Sequence, residues 1–204
     1  MKSIRLDSED ITPSKIVCIG RNYLEHIREL GNEMPDDMVI FNKPNSAIST
    51  ELLATRDEPL HYEGEICLSV RGGRYHAVGF GLDLTQRELQ SKLKARGLPW
   101  ERAKAFDGAA CFSDFVTLGD TPLESLSLQL EVDGALRQQG GYELMMYKPD
   151  AILDGISRFM TLDDDDIVMT GTPQGVGQVR AGERFVGRVL SGDRVLVSHE
   201  WIVQ

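Results

Sequence analysis

A chain of 204 residues, 41% of them apolar, is long enough to enclose one sizeable core, and a single catalytic domain over 1–204 is expected. Its net charge of −10 and pI near 4.9 argue against nucleic acid or an anionic membrane as partner, since either needs a concentrated basic surface. Cys18, Cys67 and Cys111 have neither zinc-ribbon nor disulfide spacing, no apolar run reaches bilayer length, and residues 1–13 mix charges throughout, so buried thiols in a cytoplasmic protein are expected.

In chain order, Lys15–Gly20 reads as a short buried strand. Tyr23, His26, Ile27 and Leu30 then fall at i, i+3, i+4 and i+7, one face of a helix stopped by Gly31. Residues 32–37 carry no periodicity and read as a loop, which makes 21–38 a mobile lid segment. His26 and Glu29, three apart on the lid helix, are close enough to hydrogen-bond, and an imidazole oriented by a carboxylate is a competent general base for water; a plain surface pair has the same spacing.

After a strand at 39–41 comes the run 60–70, where Glu63-Gly64-Glu65 puts two carboxylates into otherwise strand-like sequence. Side chains alternate along a strand, so both would share one face about 7 Å apart, which requires either full solvation or a cation between them. Ile66, Cys67, Leu68 and Val70 lead straight into a core, where unpaired carboxylates do not persist, so a hard divalent ion is the simplest cation. Asp83, in the apolar strand 77–85, offers the third oxygen ligand.

A helix over 85–96 places Leu89 and Leu93 inward and ends at Gly97, with Arg87 and Gln90 on the side of Asp83. Lys104 sits among small and aromatic residues; beside a carboxylate-bound metal it would hold a substrate carboxylate or polarise a carbonyl, and taken singly it reads as a surface charge. Leu126–Val132 alternates cleanly, and Asp133-Gly134 signals a hairpin. A helix over 150–160 carries Ile152, Leu153, Ile156, Phe159 and Met160 on one face, and the four aspartates of 163–166 read as a solvated turn. Ile167–Met169 ends in the Gly/Thr-rich loop 170–177, which offers N–H groups and hydroxyls to an anion without being a P-loop. Strands at 184–190 and 194–203 complete an α+β, predominantly β chain. His61, His76 and His199 have no partner spacing that suggests chemistry.

Taken in order, Gly20-Arg21-Asn22-Tyr23 with His26 and Glu29, Phe41-Asn42-Lys43-Pro44, Glu63-Gly64-Glu65, Leu82-Asp83-Leu84-Thr85-Gln86-Arg87, Leu98-Pro99-Trp100 with Ala103-Lys104-Ala105-Phe106, and Thr170-Gly171-Thr172-Pro173-Gln174-Gly175-Val176-Gly177 resemble the fumarylacetoacetate hydrolase family. The likeness runs from about Ile16 to Val197 and is nearest the small single-domain branch with acylpyruvate hydrolases and oxaloacetate decarboxylases. It implies a mixed β-sandwich roll with a few short helices, a homodimer, and a central Mg²⁺ or Mn²⁺. By position it makes Glu63, Glu65 and Asp83 the metal ligands and Lys104 the active-site lysine. Arg87, Gln90 and Thr172 correspond to substrate-binding groups, Thr172 to the one that meets the substrate carboxylate, and His26 with Glu29 to the lid dyad that activates water. The connection between Glu65 and Asp83 is shorter than the family's, with Arg71-Gly72-Gly73-Arg74 in place of a longer segment, and Gln86-Arg87-Glu88 replaces the usual Ala-Arg-Asp. The implied activity is C–C bond hydrolysis or decarboxylation of small 2-oxo acids, acylpyruvates or oxaloacetate, through an enolate. Keto–enol tautomerisation or isomerisation is the alternative reaction, and a catalytically silent metal or oxo-acid binder the alternative class.

Overall fold

Apolar runs in this chain become strands of two kinds, those that alternate and have one face in a core, and those that are apolar throughout and buried on both faces. The computed structural model describes residues 1–31 and 33–204; of the expected loop, Asn32 lies outside the described residues, and 33–37 carry no helix or strand. In chain order the strands are β1 (Ile4–Leu6), β2 (Glu9–Ile11), β3 (Lys15–Gly20), β4 (Val39–Pro44), β5 (Ile48–Ser49), β6 (Thr55–Arg56), β7 (Glu58–Tyr62), β8 (Gly64–Arg71), β9 (Arg74–Asp83), β10 (Thr85–Gln86), β11 (Ala110–Phe112), β12 (Val116–Thr117), β13 (Leu126–Val132), β14 (Ala135–Gly141), β15 (Ile167–Met169), β16 (Gly177–Gln178), β17 (Arg184–Ser191) and β18 (Arg194–Ile202). The α-helices are α1 (Leu24–Glu29), α2 (Arg87–Ala95), α3 (Glu101–Lys104) and α4 (Pro149–Ser157).

The main sheet has the order β4-β3-β15-β8-β9-β11-β5, and an antiparallel sheet β14-β13-β17-β18 packs against it. Between the sheets, Ile66, Leu68, Phe80 and Leu82 meet Leu128, Leu130, Phe185, Val189 and Trp201. The Phe80 ring lies 6.1 Å from that of Trp201, and a fully buried Phe of this kind is worth about 3–5 kcal/mol against Ala. The opposite face of β8 and β9 packs Cys67 and Ala77 against Ile16, Cys18, Met169 and the β1–β2 hairpin. Burial on both faces is why β8 is a continuous apolar run, whereas β13, covered on one side, alternates. This is the predominantly β, mixed sandwich that the sequence implies.

The short connection between β8 and β9 is a two-residue hairpin in which Gly72 (φ 57°) and Gly73 (φ 71°) both take the left-handed conformation of a type I′ turn. The aspartate run holds it: Asp164 Oδ1 accepts the Gly72 N–H at 2.8 Å, and Arg71 donates to Asp165 at 2.7 Å. The run is therefore not merely a solvated turn. Asp166 is fully buried and accepts hydrogen bonds from Ser14 N (2.9 Å), Ser14 Oγ (2.8 Å), Lys15 N (3.0 Å) and the Lys15 ammonium, stitching the entry of β3 to that of β15. Those bonds outweigh burial and hold its carboxyl below the usual value.

Two helices differ from expectation. Thr85 and Gln86 pair with β7 instead of opening a helix, so α2 starts at Arg87. Helix α4 starts with Pro149 at its first position, which needs no N–H donor, and ends at Ser157, leaving Phe159 exposed beyond the buried Ile152 and Ile156. All three cysteines are buried and free, and burial pushes the Cys111 thiol up to about 12. Among the described residues no helix is long and apolar enough to cross a membrane.

Candidate active site

One end of the main sheet collects the chemistry, because β3, β9 and β15 end where β8 begins. Glu63 does not lie within the strand. The chain leaves β7 at Tyr62, turns sheet at Glu63 and enters β8 at Gly64, so the two glutamates flank a junction instead of alternating along one strand. Gly64 is required there. A Cβ on it would sit 2.9 Å from Phe80 Cζ and 3.0 Å from Gln138 Oε1, and Gln138 Oε1 accepts the Gly64 N–H at 2.8 Å. Asp83 closes β9, its N–H donating to Glu63 O at 2.8 Å.

The result is a buried acidic triad. Glu63, Glu65 and Asp83 each offer a carboxylate oxygen, all within 4.8 Å of one another. Lys104, at the end of α3 and buried, donates to Glu63 Oε2 (2.8 Å), Asp83 Oδ2 (2.7 Å) and Thr85 Oγ1 (2.7 Å). Burial lowers the pKa of its ammonium, yet Asp83 and Glu63 outweigh that and hold it above the usual value. Arg87 pairs with the other Glu63 oxygen and donates to Gln90 Oε1 at 3.0 Å. Although burial raises the Glu63 carboxyl, Lys104 and Arg87 bring it well below its ordinary range. Glu65 is the opposite case. Among the described residues the one hydrogen bond to its carboxylate comes from the Gly171 N–H (2.7 Å), and burial with repulsion from Asp83 and Glu63 pushes its carboxyl well above that range.

Lys43, which the sequence offers only as part of the Phe41–Pro44 motif and without a role, belongs to this cluster. It is fully buried, 2.7 Å from Asp83 Oδ1 as an ion pair, and its protons go to the carbonyls of Leu84 (3.3 Å) and Lys104. Asp83 Oδ1 thus meets Lys43 as an ion pair and has no other partner among the described residues. Three buried carboxylates converging on one point, one of them, Glu65, without a cationic partner among the described residues, fit an all-oxygen site for a hard divalent ion.

The remaining expected groups surround the triad. His26 on α1 is buried, its Nδ1 3.2 Å from Glu29 Oε2, while Glu29 Oε1 accepts the Gly175 N–H at 3.0 Å and so ties α1 to the loop after β15. Thr172 lines the cavity, but its hydroxyl donates to Gly64 O (2.9 Å) and accepts from Gln138 Nε2 (2.8 Å). Gln138, from the facing sheet, was not singled out in the sequence; it also donates to Pro173 O at 2.8 Å and so holds the glutamate junction and the Thr172 loop together. His26, Glu63, Glu65, Asp83, Arg87, Gln90, Lys104 and Thr172 all line one cavity of ≈30 Å³, room for an ion or a water; Glu29 stands behind it. A wider depression of ≈260 Å³ adjoins it across Phe41, Trp100 and Lys104. Another depression, ≈580 Å³ around Thr117 and Arg194, has no such cluster.

Comparisons with known proteins agree with this geometry. Residues 15–203 match the family model described as fumarylacetoacetate (FAA) hydrolase C-terminal. Oxaloacetate tautomerase YcgM of Escherichia coli (strain K12) is 36% identical over 195 residues, 86% of this chain and 88% of the relative. A mitochondrial oxaloacetate tautomerase of Bos taurus is 38% identical over 187 residues, 83% of this chain and 84% of the relative. Among solved structures, fumarylpyruvate hydrolase from Pseudomonas aeruginosa in complex with Mn²⁺ and pyruvate superposes with a TM-score of 0.87 at 28% identity, covering 100% of this chain and 96% of that one. The chain belongs to the fumarylacetoacetate hydrolase C-terminal family, whose members include oxo-acid tautomerases and hydrolases.

Proposed function

We propose that this chain is a divalent-metal-dependent enzyme of small 2-oxo acids whose chemistry passes through the enol form of the substrate. The convergence of Glu63, Glu65 and Asp83 on one buried cavity carries this reading. Mg²⁺ or Mn²⁺ is the cation proposed for these three oxygens, and the Mn²⁺ in the P. aeruginosa relative supports it. When bound, such an ion withdraws electrons from the 2-oxo carbonyl and makes the protons on the adjacent carbon acidic.

The chain's own groups supply the rest. With Glu29 ionised, His26 Nδ1 carries the proton of their hydrogen bond, which leaves Nε2 as the basic nitrogen at the cavity. Nε2 takes a proton from the carbon beside the carbonyl, and the imidazolium so formed gives that proton up through solvent as the 2-oxo oxygen takes one from solvent, so that His26 ends neutral, no carbon–carbon bond breaks and keto and enol forms exchange. Lys104 and Arg87 oppose the negative charge that develops on that oxygen, and the Gln90 side-chain amide orients the carboxylate beside it, with Thr172 lining the same wall. The sequence reading put C–C hydrolysis or decarboxylation first. The two relatives named oxaloacetate tautomerases favour tautomerisation of an oxaloacetate-type acid instead. Hydrolysis stays as the second reading because the His26–Glu29 pair is equally suited to deprotonating water, and because the P. aeruginosa relative is a hydrolase.

An NMR time course with Mg²⁺ and either oxaloacetate or acetylpyruvate, with EDTA and Glu65→Ala controls, separates the reactions. Metal-dependent enol–keto exchange without cleavage supports the first reading. Metal-dependent cleavage of acetylpyruvate that collapses in His26→Ala supports the second, whereas decarboxylation surviving that substitution removes water activation from the account. Stabilisation by ligand and Mg²⁺ with no turnover identifies a silent binder.

A further inference from the structure

We propose that Lys43 couples the loading of the site: its fixed, buried charge opposes the divalent ion on Asp83, so that the ion reaches its full affinity only together with an anionic substrate. The inference rests on the metal-dependent 2-oxo acid reading above and adds how that site fills.

Lys43 lies on β4 and is fully buried. Its ammonium stands 2.7 Å from Asp83 Oδ1 and donates to the carbonyls of Leu84 (3.3 Å) and Lys104. Lys104 in turn lies 2.7 Å from Asp83 Oδ2 and 2.8 Å from Glu63 Oε2, and Arg87 pairs with Glu63 Oε1. Both oxygens of Asp83 and both of Glu63 therefore face protein cations, and a divalent ion on the triad shares them with like charges. Glu65, held by the Gly171 N–H alone, is the exception.

The three cations differ in freedom. Lys104 and Arg87 line the cavity, so their charged ends can turn from the triad to an anion that enters it. Lys43 does not line the cavity, and two main-chain carbonyls from different parts of the fold fix its ammonium in place. Its repulsion of an ion on Asp83 acts inside the protein, where salt and water screen little. A 2-oxo acid changes the balance, because its carboxylate draws Lys104 and Arg87 away from the triad and sets a negative charge beside the ion. The ion-sized cavity shares Phe41, Trp100 and Lys104 with the wider depression of ≈260 Å³, which gives the acid its approach. By linkage, ion and acid then raise each other's affinity by the same factor, and Lys43 sets its size.

Mn²⁺ titrated into EDTA-stripped protein, with free ion read by electron paramagnetic resonance, with and without saturating pyruvate, tests this. In wild type pyruvate is expected to tighten Mn²⁺ about tenfold. Lys43→Met is expected to bind Mn²⁺ alone about tenfold tighter than wild type and to gain about threefold or less from pyruvate. Lys43→Arg, which keeps the charge, is expected to restore the coupling of wild type. The sign separates charge from folding, since a residue that only held the site together would weaken Mn²⁺ binding when replaced. Should Lys43→Met fail to fold, Lys43→Gln, neutral but still a donor to the carbonyls, is read in its place. A neutral variant that binds Mn²⁺ no tighter than wild type, or a wild-type affinity that pyruvate leaves unchanged, overturns the role of Lys43 and keeps the metal site. Wild type that binds no Mn²⁺ with or without pyruvate removes the metal reading and this inference with it.

Discussion

Replacing Lys104 by Met keeps most of the volume of its stem and deletes only the ammonium that three buried oxygens share. Glu63 and Asp83 then lose a partner at 2.8 and 2.7 Å. Breaking one side of a buried ion pair costs about 3–5 kcal/mol, a large part of a total stability on the order of 5–15 kcal/mol. For a chain of this length each kcal/mol moves the melting temperature by about 2–4 °C, so metal-free Lys104→Met is expected to melt about 6–20 °C below wild type. Excess Mn²⁺ is expected to restore at least half of that, since a divalent ion on the same carboxylates replaces the lost charge. Glu65→Gln is expected to behave oppositely. An amide still accepts the Gly171 N–H, and removing a carboxylate repelled by Asp83 and Glu63 leaves the metal-free melting temperature unchanged or higher while abolishing the response to Mn²⁺. Calorimetric scans in EDTA and in Mn²⁺ check both. Lys104→Met as stable as wild type without metal, or Glu65→Gln several degrees less stable, refutes the charge balance derived for the triad.

Gln138→Ala strands the Gly64 N–H and removes a donor from the Thr172 hydroxyl and the Pro173 carbonyl in a buried seam; a loss of about 2–3 kcal/mol in urea unfolding is expected, with a higher KM because the Thr172 loop is held less firmly. Asp166 has a depressed pKa, so its stabilisation is present above the usual carboxylate range and fades as pH falls through the depressed value; the acid-side slope of stability should flatten in Asp166→Ala, at a cost at neutral pH of about 2–4 kcal/mol.

Much of the site was legible because its residues break a local pattern. Asp83 in an apolar strand and two glutamates ahead of Ile66 have no structural reason to be there, and the structure brings all three together. The short Gly72-Gly73 turn and the Asp133-Gly134 hairpin follow from residues that accept positive φ, and both formed. What escaped depends on distant chain. Lys43 lies on a strand whose residues look half-exposed, and its burial comes from the Leu84 and Lys104 carbonyls, 41 and 61 residues away. Gln138 sits in a polar strand, and only the facing sheet makes it a brace. Asp166 ends a run of four aspartates of which three read correctly as turn residues, and its burial is fixed by Ser14 and Lys15 on a parallel neighbour strand. The β1–β2 hairpin was missed because its charges mask two short apolar edges; Ile4, Leu6 and Ile11 cover a core that the rest of the chain builds.

The central claim is that Glu63, Glu65 and Asp83 hold a divalent ion on which the oxo-acid chemistry depends. Titration of Mn²⁺ into EDTA-stripped wild type and Glu65→Gln, followed by calorimetry and Mn²⁺ electron paramagnetic resonance, tests it most directly. One tight site per chain in wild type, absent in a Glu65→Gln variant that melts no lower, is the predicted result. Equal Mn²⁺ binding by both proteins, or by neither, contradicts it.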